Sequence, residues 1–301
     1  MKKRSFSLLV FVLVLLPLLL AIVVLIPAHL QIRAIEPPLP FWKDIEVALN
    51  SAPGPVEVSY LNTASQTSPK GSLGHPGVLL QWSDGKRFLI DTGMPPEEAI
   101  AFGKPIELLL GAQPTVTYGS LADQLGDAVS SIGGIAFTHL HSDHTDGLPG
   151  ICAAQQKPAM VYQAPLQFDE RNYTTDMGYE AVELATCPIA RLGDDPLKTV
   201  PGFPGLFAAS LGGHTPGSTA YIAKVEGHVW IFSGDITNDK RSVVDDLPKA
   251  WIYSKLIVPE NTKRTAMLRR WLQALDLRDN VTVLPAHDVS AMAAAIPQFS
   301  G

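Results

Sequence analysis

The chain has 301 residues, 46% of them hydrophobic, which suffices for one sizeable core plus an accessory segment and is too short for three independent domains. Its formal net charge of -6 excludes the overall basic excess on which binding to a phosphate backbone depends, so nucleic acid is not an expected partner. The two cysteines, Cys152 and Cys187, match neither a thiolate metal motif nor a CxxC pair and read either as two ordinary thiols or as one disulfide.

The chain opens on Met1-Lys2-Lys3-Arg4, followed by an uncharged apolar run over 8–26. As a helix rising 1.5 Å per residue, that run covers about 28 Å, close to the hydrocarbon thickness of a bilayer. A cleaved signal has an apolar region of only about 7 to 15 residues ending in an A-x-A-like site, and Pro27-Ala28-His29-Leu30-Gln31 offers no such site. Residues 1–27 are therefore expected to form a single transmembrane helix that anchors the protein, with secretion after cleavage as the alternative. Basic residues before the run and a sparse Arg33 after it predict a cytoplasmic N-terminus. The rest of the chain then lies in the periplasm or at the cell surface.

Pro37-Pro38-Leu39-Pro40 and Pro53-Gly54-Pro55 predict a stiff proline-rich linker over 28–55, and a globular domain over 56–301. Apolar runs at 77–82 and 87–91, around a Ser83-Asp84-Gly85-Lys86 turn, predict a β-hairpin. Residues 121–131 are helix-like, and 132–138 form a short apolar strand. A second hairpin is expected from 220–225 and 228–232 around Glu226-Gly227. Over 262–277, Met267, Leu268, Trp271, Leu272 and Leu275 recur at helical spacing and predict an amphipathic helix with one buried stripe. A last strand, 281–284, leads to His287. Mixed strands and helices with polar residues at strand ends describe a layered α/β domain.

The densest chemical signal follows the strand at 132–138. His139, His141, Asp143 and His144 lie within six positions, so imidazoles and a carboxylate share one strand-to-helix loop, where they can converge on metal. Three further candidates sit at turns or strand ends. His214 is bracketed in Gly212-Gly213-His214-Thr215-Pro216-Gly217, Asp235 ends Phe232-Ser233-Gly234-Asp235, and His287 follows Leu284-Pro285-Ala286. Seven such ligands suit two metal ions with a shared carboxylate. Imidazole and carboxylate without thiolate favour two zinc ions, and manganese or iron fit the same donors. His29, His75 and His228 stand apart from this set and read as solvated or packing histidines.

This set resembles the metallo-β-lactamase superfamily over roughly residues 56 to 290, with its motifs in the expected order. The resemblance implies a four-layer αβ/βα sandwich with the metals at the lip between two sheets. It further implies that His139, His141 and His214 hold one ion and Asp143, His144 and His287 the other, with Asp235 between them. Asp91, in Leu89-Ile90-Asp91-Thr92-Gly93, matches the family's early aspartate, whose carboxylate orients a ligand histidine; read without the family, it is a turn residue before glycine. Four positions refine the likeness. Asp146 replaces a common glycine, so the loop is expected to turn on an aspartate that tolerates the left-handed region. Asp235 stands where one β-lactamase class has cysteine. His141 stands where diiron relatives have glutamate. Asn238 stands where quorum-quenching lactonases carry tyrosine, three residues after the bridging aspartate.

The expected chemistry is hydrolysis of a small-molecule substrate by a metal-bridging hydroxide, with Asp143 or Asp235 passing a proton to the leaving group. A carboxylic ester, lactone or thioester is the leading substrate class, ahead of a phosphodiester or a β-lactam amide, and a non-catalytic metal-binding domain is the reading from another class. No Gly-x-Ser-x-Gly elbow occurs, which removes a serine hydrolase. Residues 155–204 carry Met160, Tyr162, Phe168, Tyr173, Met177, Tyr179 and Phe203, an aromatic and apolar set expected to pack the domain and in part to cover an organic ligand.

Overall fold

A computed structural model describes residues 11–69 and 71–300. Among these, seven strands form one sheet: β1 (Glu57–Ser68), β2 (Gly71–Gln81), β3 (Arg87–Ile90), β4 (Val116–Thr117), β5 (Ile132–Ala136), β6 (Met160–Gln163) and β7 (Ile189–Arg191), in the spatial order β4-β1-β2-β3-β5-β6-β7. Five more, β8 (Lys198–Thr199), β9 (Leu206–Ser210), β10 (Thr219–Val225), β11 (His228–Phe232) and β12 (Val281–Leu284), form the facing sheet, in the order β12-β11-β10-β9-β8.

The period-2 alternation of strand side chains accounts for the layering. Val78 and Leu80 of β2 and Phe88 and Ile90 of β3 meet Tyr221, Trp230 and Phe232 between the sheets. Their neighbours Leu79 and Leu89 point the other way, to Ile151 and Cys152 in the helix Leu148–Ala154. On the far sheet Ile222, Ile231 and Val283 face outward onto Leu268, Leu272 and Leu275 of the helix Thr262–Asp276. Both sheets are thus apolar on both faces, as strands sandwiched between helices must be. This is the four-layer αβ/βα sandwich expected from the sequence.

Both expected hairpins form: β2 pairs with β3, and β10 pairs with β11 through Glu226 and Gly227, each at positive φ. The stretch 121–131 is α-helical only over Leu121–Leu125 and continues as a 3-10 helix over Gly126–Ser131.

The proline-rich stretch departs from a linker. The helix Trp42–Ser51 lies within it and buries Ile45 and Leu49 against the second sheet. Its prolines end at Pro40 and resume at Pro53, so the intervening residues keep every backbone donor and an i, i+4 apolar pair. Arg264 pins the preceding turn, donating from Nε to Leu211 O and from a terminal nitrogen to Pro37 O.

An N-terminal helix, Phe11–Ala34, is long and apolar enough to cross a membrane. It passes Pro17 and Pro27 with wider π-type turns at Phe11–Leu15 and Ala21–Leu25, the local adjustment by which a helix accommodates proline. Lys2, Lys3 and Arg4, on which the expected orientation rests, lie outside the described residues. Cys152 and Cys187 are joined as a disulfide with Cα atoms 5.5 Å apart, which decides between the two readings of those residues.

Candidate metal centre

Strands β3 and β5 run parallel in the first sheet, and β11 and β12 run parallel in the second. Their carboxyl ends release Asp91, the 139–144 loop, Asp235 and His287 at one edge of the sandwich, where strand ends commonly present ligand-binding groups. His214 arrives from the turn between β9 and β10, tied closed by Leu211 N–H and Gly212 N–H donating to Ser218 O. Gly234 allows the approach of Asp235: it stands at φ +58, and a Cβ there would lie 2.7 Å from Thr138 Cβ. Gly147 does the same for the helical turn after His144, since its Cβ would lie 2.2 Å from Thr92 O.

All seven expected residues converge and are buried or nearly so. His139, His141 and His214 form one group of potential ligand atoms within 4.8 Å of one another, and His139, His144 and Asp235 form another. A third group contains Asp143 and His287 and adds His75. His75 therefore departs from the solvated or packing role expected for it. It is buried, with its side chain 2% exposed, and Nδ1 lies 3.4 Å from Asp143 Oδ2. The signal missed in the sequence was its place on β2, four positions beyond the strand's start, because register across the sheet and not spacing brings it to the edge. By contrast, His228 is a packing residue beside Trp230, with Nε2 2.8 Å from Thr282 Oγ1, and His29 packs onto Lys255 O at 3.0 Å.

The outer nitrogens of three histidines are committed to acceptors. His144 Nδ1 donates to Asp91 Oδ2 at 3.0 Å, His214 Nδ1 to Glu260 Oε1 at 2.7 Å, and His287 Nδ1 to Gly74 O at 2.7 Å. Each bond sets the tautomer that presents Nε2 inward with its lone pair. Asp91 is held for this task at φ +60, and its two oxygens accept from Thr138 N–H at 2.7 Å and Thr138 Oγ1–H at 2.8 Å. Glu260 and Lys249, 3.1 Å apart, and Tyr253, whose ring stacks parallel to His214 with centroids 6.4 Å apart, were not foreseen from the sequence. Asp146 adopts right-handed helical angles, so the left-handed turn expected there is not needed.

The electrostatics are those of ligands facing one another. Burial, reinforced by neighbouring imidazoles, pushes His139 well below its ordinary value and His141 down to about 3. These are the neutral forms that bind metal. Burial also disfavours the charged form of His144, but Asp91 and Asp143 outweigh it and raise that group to about 10. Burial alone would raise Asp143 and Asp235, yet the surrounding imidazoles hold both well below the usual carboxylate range.

These residues fit metal ions. His144 Nε2, His214 Nε2 and Asp235 Oδ1 are buried without a hydrogen-bond partner among the described residues, and such atoms are costly unless something satisfies them. Metal bonds of about 2.0–2.2 Å set tetrahedral ligand atoms roughly 3.3–3.6 Å apart. Here His287 Nε2 lies 3.5 Å from Asp143 Oδ2, His144 Nε2 3.6 Å from Asp235 Oδ1, and His214 Nε2 3.7 Å from Asp235 Oδ2.

The fold and the edge-of-sheet cluster define a metal-dependent hydrolase. A family model described as the metallo-beta-lactamase superfamily matches residues 74–287, and the chain belongs to that superfamily. It is 30% identical over 144 residues to the ribonuclease Z of Nocardia farcinica (strain IFM 10152), an alignment covering 46% of this chain and 39% of that protein. The chain thus spans about two fifths of that relative's length. Among solved structures, a quorum-quenching N-acyl homoserine lactone lactonase is similar with a TM-score of 0.61 at 14% identity, covering 82% of this chain and 98% of that one. AidC, a dizinc quorum-quenching lactonase, is similar with a TM-score of 0.54 at 13% identity, covering 79% and 90%. At these identities the likeness concerns the fold.

Proposed function

We propose that the chain is a dinuclear zinc hydrolase acting on a carboxylic ester, lactone or thioester. The observation that carries this reading is the position of Asp235. Its Oδ2 lies 2.9 Å from His287 Nε2 and 3.7 Å from His214 Nε2, while Oδ1 lies 3.6 Å from His144 Nε2, so one carboxylate touches ligand atoms of both halves of the cluster. His139, His141 and His214 would hold the first ion and Asp143, His144 and His287 the second, with Asp235 placed between the two sets. When bound, the ions would supply an activated water and polarise the substrate's carbonyl oxygen. Asp91 and Glu260 keep His144 and His214 in the ligating tautomer. Asp143 or Asp235 would pass a proton to the leaving group. Manganese or iron fit the same donors, while the predominance of imidazole among them and the dizinc lactonase of like fold support zinc.

The lactonase folds support the ester and lactone class, although Asn238 stands where the family resemblance implies a tyrosine for quorum-quenching lactonases. The ribonuclease relative favours a phosphodiester as the second reading; the net charge of -6 weighs against RNA. The apolar helix Phe11–Ala34 and the Cys152–Cys187 disulfide support a membrane-anchored enzyme whose catalytic domain, 56–301, lies outside the cytoplasm, where disulfides persist.

A panel of chromogenic ester, lactone, thioester, phosphodiester and β-lactam substrates tests the class, and elemental analysis of metal-replete protein should find close to two equivalents. One equivalent at saturation would remove the dinuclear reading. Asp235→Asn should lower turnover at least ~100-fold, the scale on which groups tuning a metal site act, with circular dichroism unchanged and His228→Ala as the unaffected control. Full turnover in Asp235→Asn with both ions retained would show that Asp235 does not join them.

A further inference from the structure

The end of the apolar helix is fastened to the catalytic domain. Ala28 and Ile32 are buried, His29 Nε2 lies 3.0 Å from Lys255 O, and Gln31 Nε2 donates to Glu170 Oε2 at 2.9 Å and to Arg171 O at 3.0 Å. The apolar run ends at Ile26. With a rise of about 1.5 Å per residue, His29 sits roughly 5 Å and Gln31 roughly 8 Å beyond the hydrocarbon edge, and tilt only shortens those heights. The backbone at Lys255 and at Glu170 and Arg171 is therefore held at headgroup level.

At that level the domain shows apolar side chains to its surroundings. Trp251, Ile252, Leu256 and Ile257 are 66, 61, 53 and 55% exposed. Beside them Tyr173 donates its hydroxyl to Ile257 O at 3.2 Å. Single exposed apolar residues are ordinary, but a contiguous group marks a surface that something covers. Continuity with a membrane-crossing helix names the bilayer as the cover, and tryptophan and tyrosine are the residues that favour its interface. The same segment walls the metal centre: Tyr253 stacks on His214, Ser254 Oγ donates to Glu260, and Lys249 Nζ donates to Asp235 O.

We propose that the face formed by Trp251, Ile252, Leu256 and Ile257 with the adjoining Tyr173 rests on the lipid bilayer, so that the metal centre opens at headgroup level and takes an amphiphilic ester with a long acyl chain from the membrane. This rests on the membrane-anchored reading of the N-terminal helix and on hydrolysis of the ester class. A water-soluble substrate would gain nothing from such placement, whereas one partitioned into the bilayer reaches the site by lateral diffusion.

The full metal-replete chain is reconstituted into phosphatidylcholine and phosphatidylglycerol vesicles carrying phospholipids brominated near the headgroup end of the acyl chains. Trp251 fluorescence is taken as the difference between the wild type and Trp251→Phe. That difference should be quenched at least twofold, and the double variant Ile252→Glu with Leu256→Glu should raise KM at least tenfold for a vesicle-borne long-chain ester while leaving a soluble short-chain ester unchanged. A chain that floats with the vesicles while Trp251 stays unquenched leaves the face to a protein partner and overturns the proposal with the anchor intact. Unchanged long-chain kinetics in the double variant overturn it as well. A chain that does not float overturns the anchor reading and this proposal with it, and failure on every ester, with Trp251 still quenched, overturns the ester class and the substrate proposed here while the bilayer-facing surface stands.

Discussion

Nδ1 of His214 stands 2.7 Å from Oε1 of Glu260, and that carboxylate also meets Lys249 Nζ at 3.1 Å and Ser254 Oγ at 2.5 Å. One buried glutamate thus orients an inward-facing imidazole and balances a buried lysine. Burial would raise its carboxyl, but Lys249 and His214 hold it down to about 2, so it is the charged form that accepts these bonds.

Replacing Glu260 by glutamine keeps an acceptor for His214 and removes the charge opposite Lys249. Glu260→Gln should weaken binding of the first metal equivalent by about 10- to 100-fold, the range typical of groups that orient ligand histidines. Competition with a chelator of known affinity measures it. Unaltered affinity would mean that His214 needs an acceptor at this position and not its negative charge.

His75 tests whether the second half of the cluster has an additional member. Its Nδ1 is buried without a hydrogen-bond partner among the described residues and sits 3.4 Å from Asp143 Oδ2, a separation suited to two ligands of one ion. His75→Ala should lower affinity for the second equivalent by about 10- to 100-fold and leave the first in place. Metal titration followed by the visible absorption of cobalt-substituted protein reads both steps. Two unchanged binding steps would reduce His75 to a packing role against Phe102, whose ring centroid is 5.3 Å away.

The Cys152–Cys187 disulfide closes a loop with a sequence separation of 35. Loop entropy of that size corresponds to about 3–4 kcal/mol of stability in the chain-entropy model. Urea unfolding of metal-replete protein should shift to a lower midpoint when both residues are changed to alanine, with little change in the native circular dichroism. An unmoved midpoint would show that packing in the core around Ile151 and Val182 holds that region without the cross-link.

What was legible in the sequence was local. His139, His141, Asp143 and His144 lie in one short loop, so their chemistry can be read without knowing the fold. The strands and the amphipathic helix Thr262–Asp276 announce themselves by the periods of their apolar residues, and Leu268, Leu272 and Leu275 face the core as that period requires. Tertiary structure alone decided relationships that span the chain. His75 meets Asp143 because β2 crosses the sheet in one register; Glu260 meets His214 across a sequence separation of 46; and the prolines around Trp42–Ser51 punctuate a docked helix instead of a linker. Periodicity records which face of an element is buried, whereas the partner of a buried polar group depends on how elements from distant parts of the chain pack together.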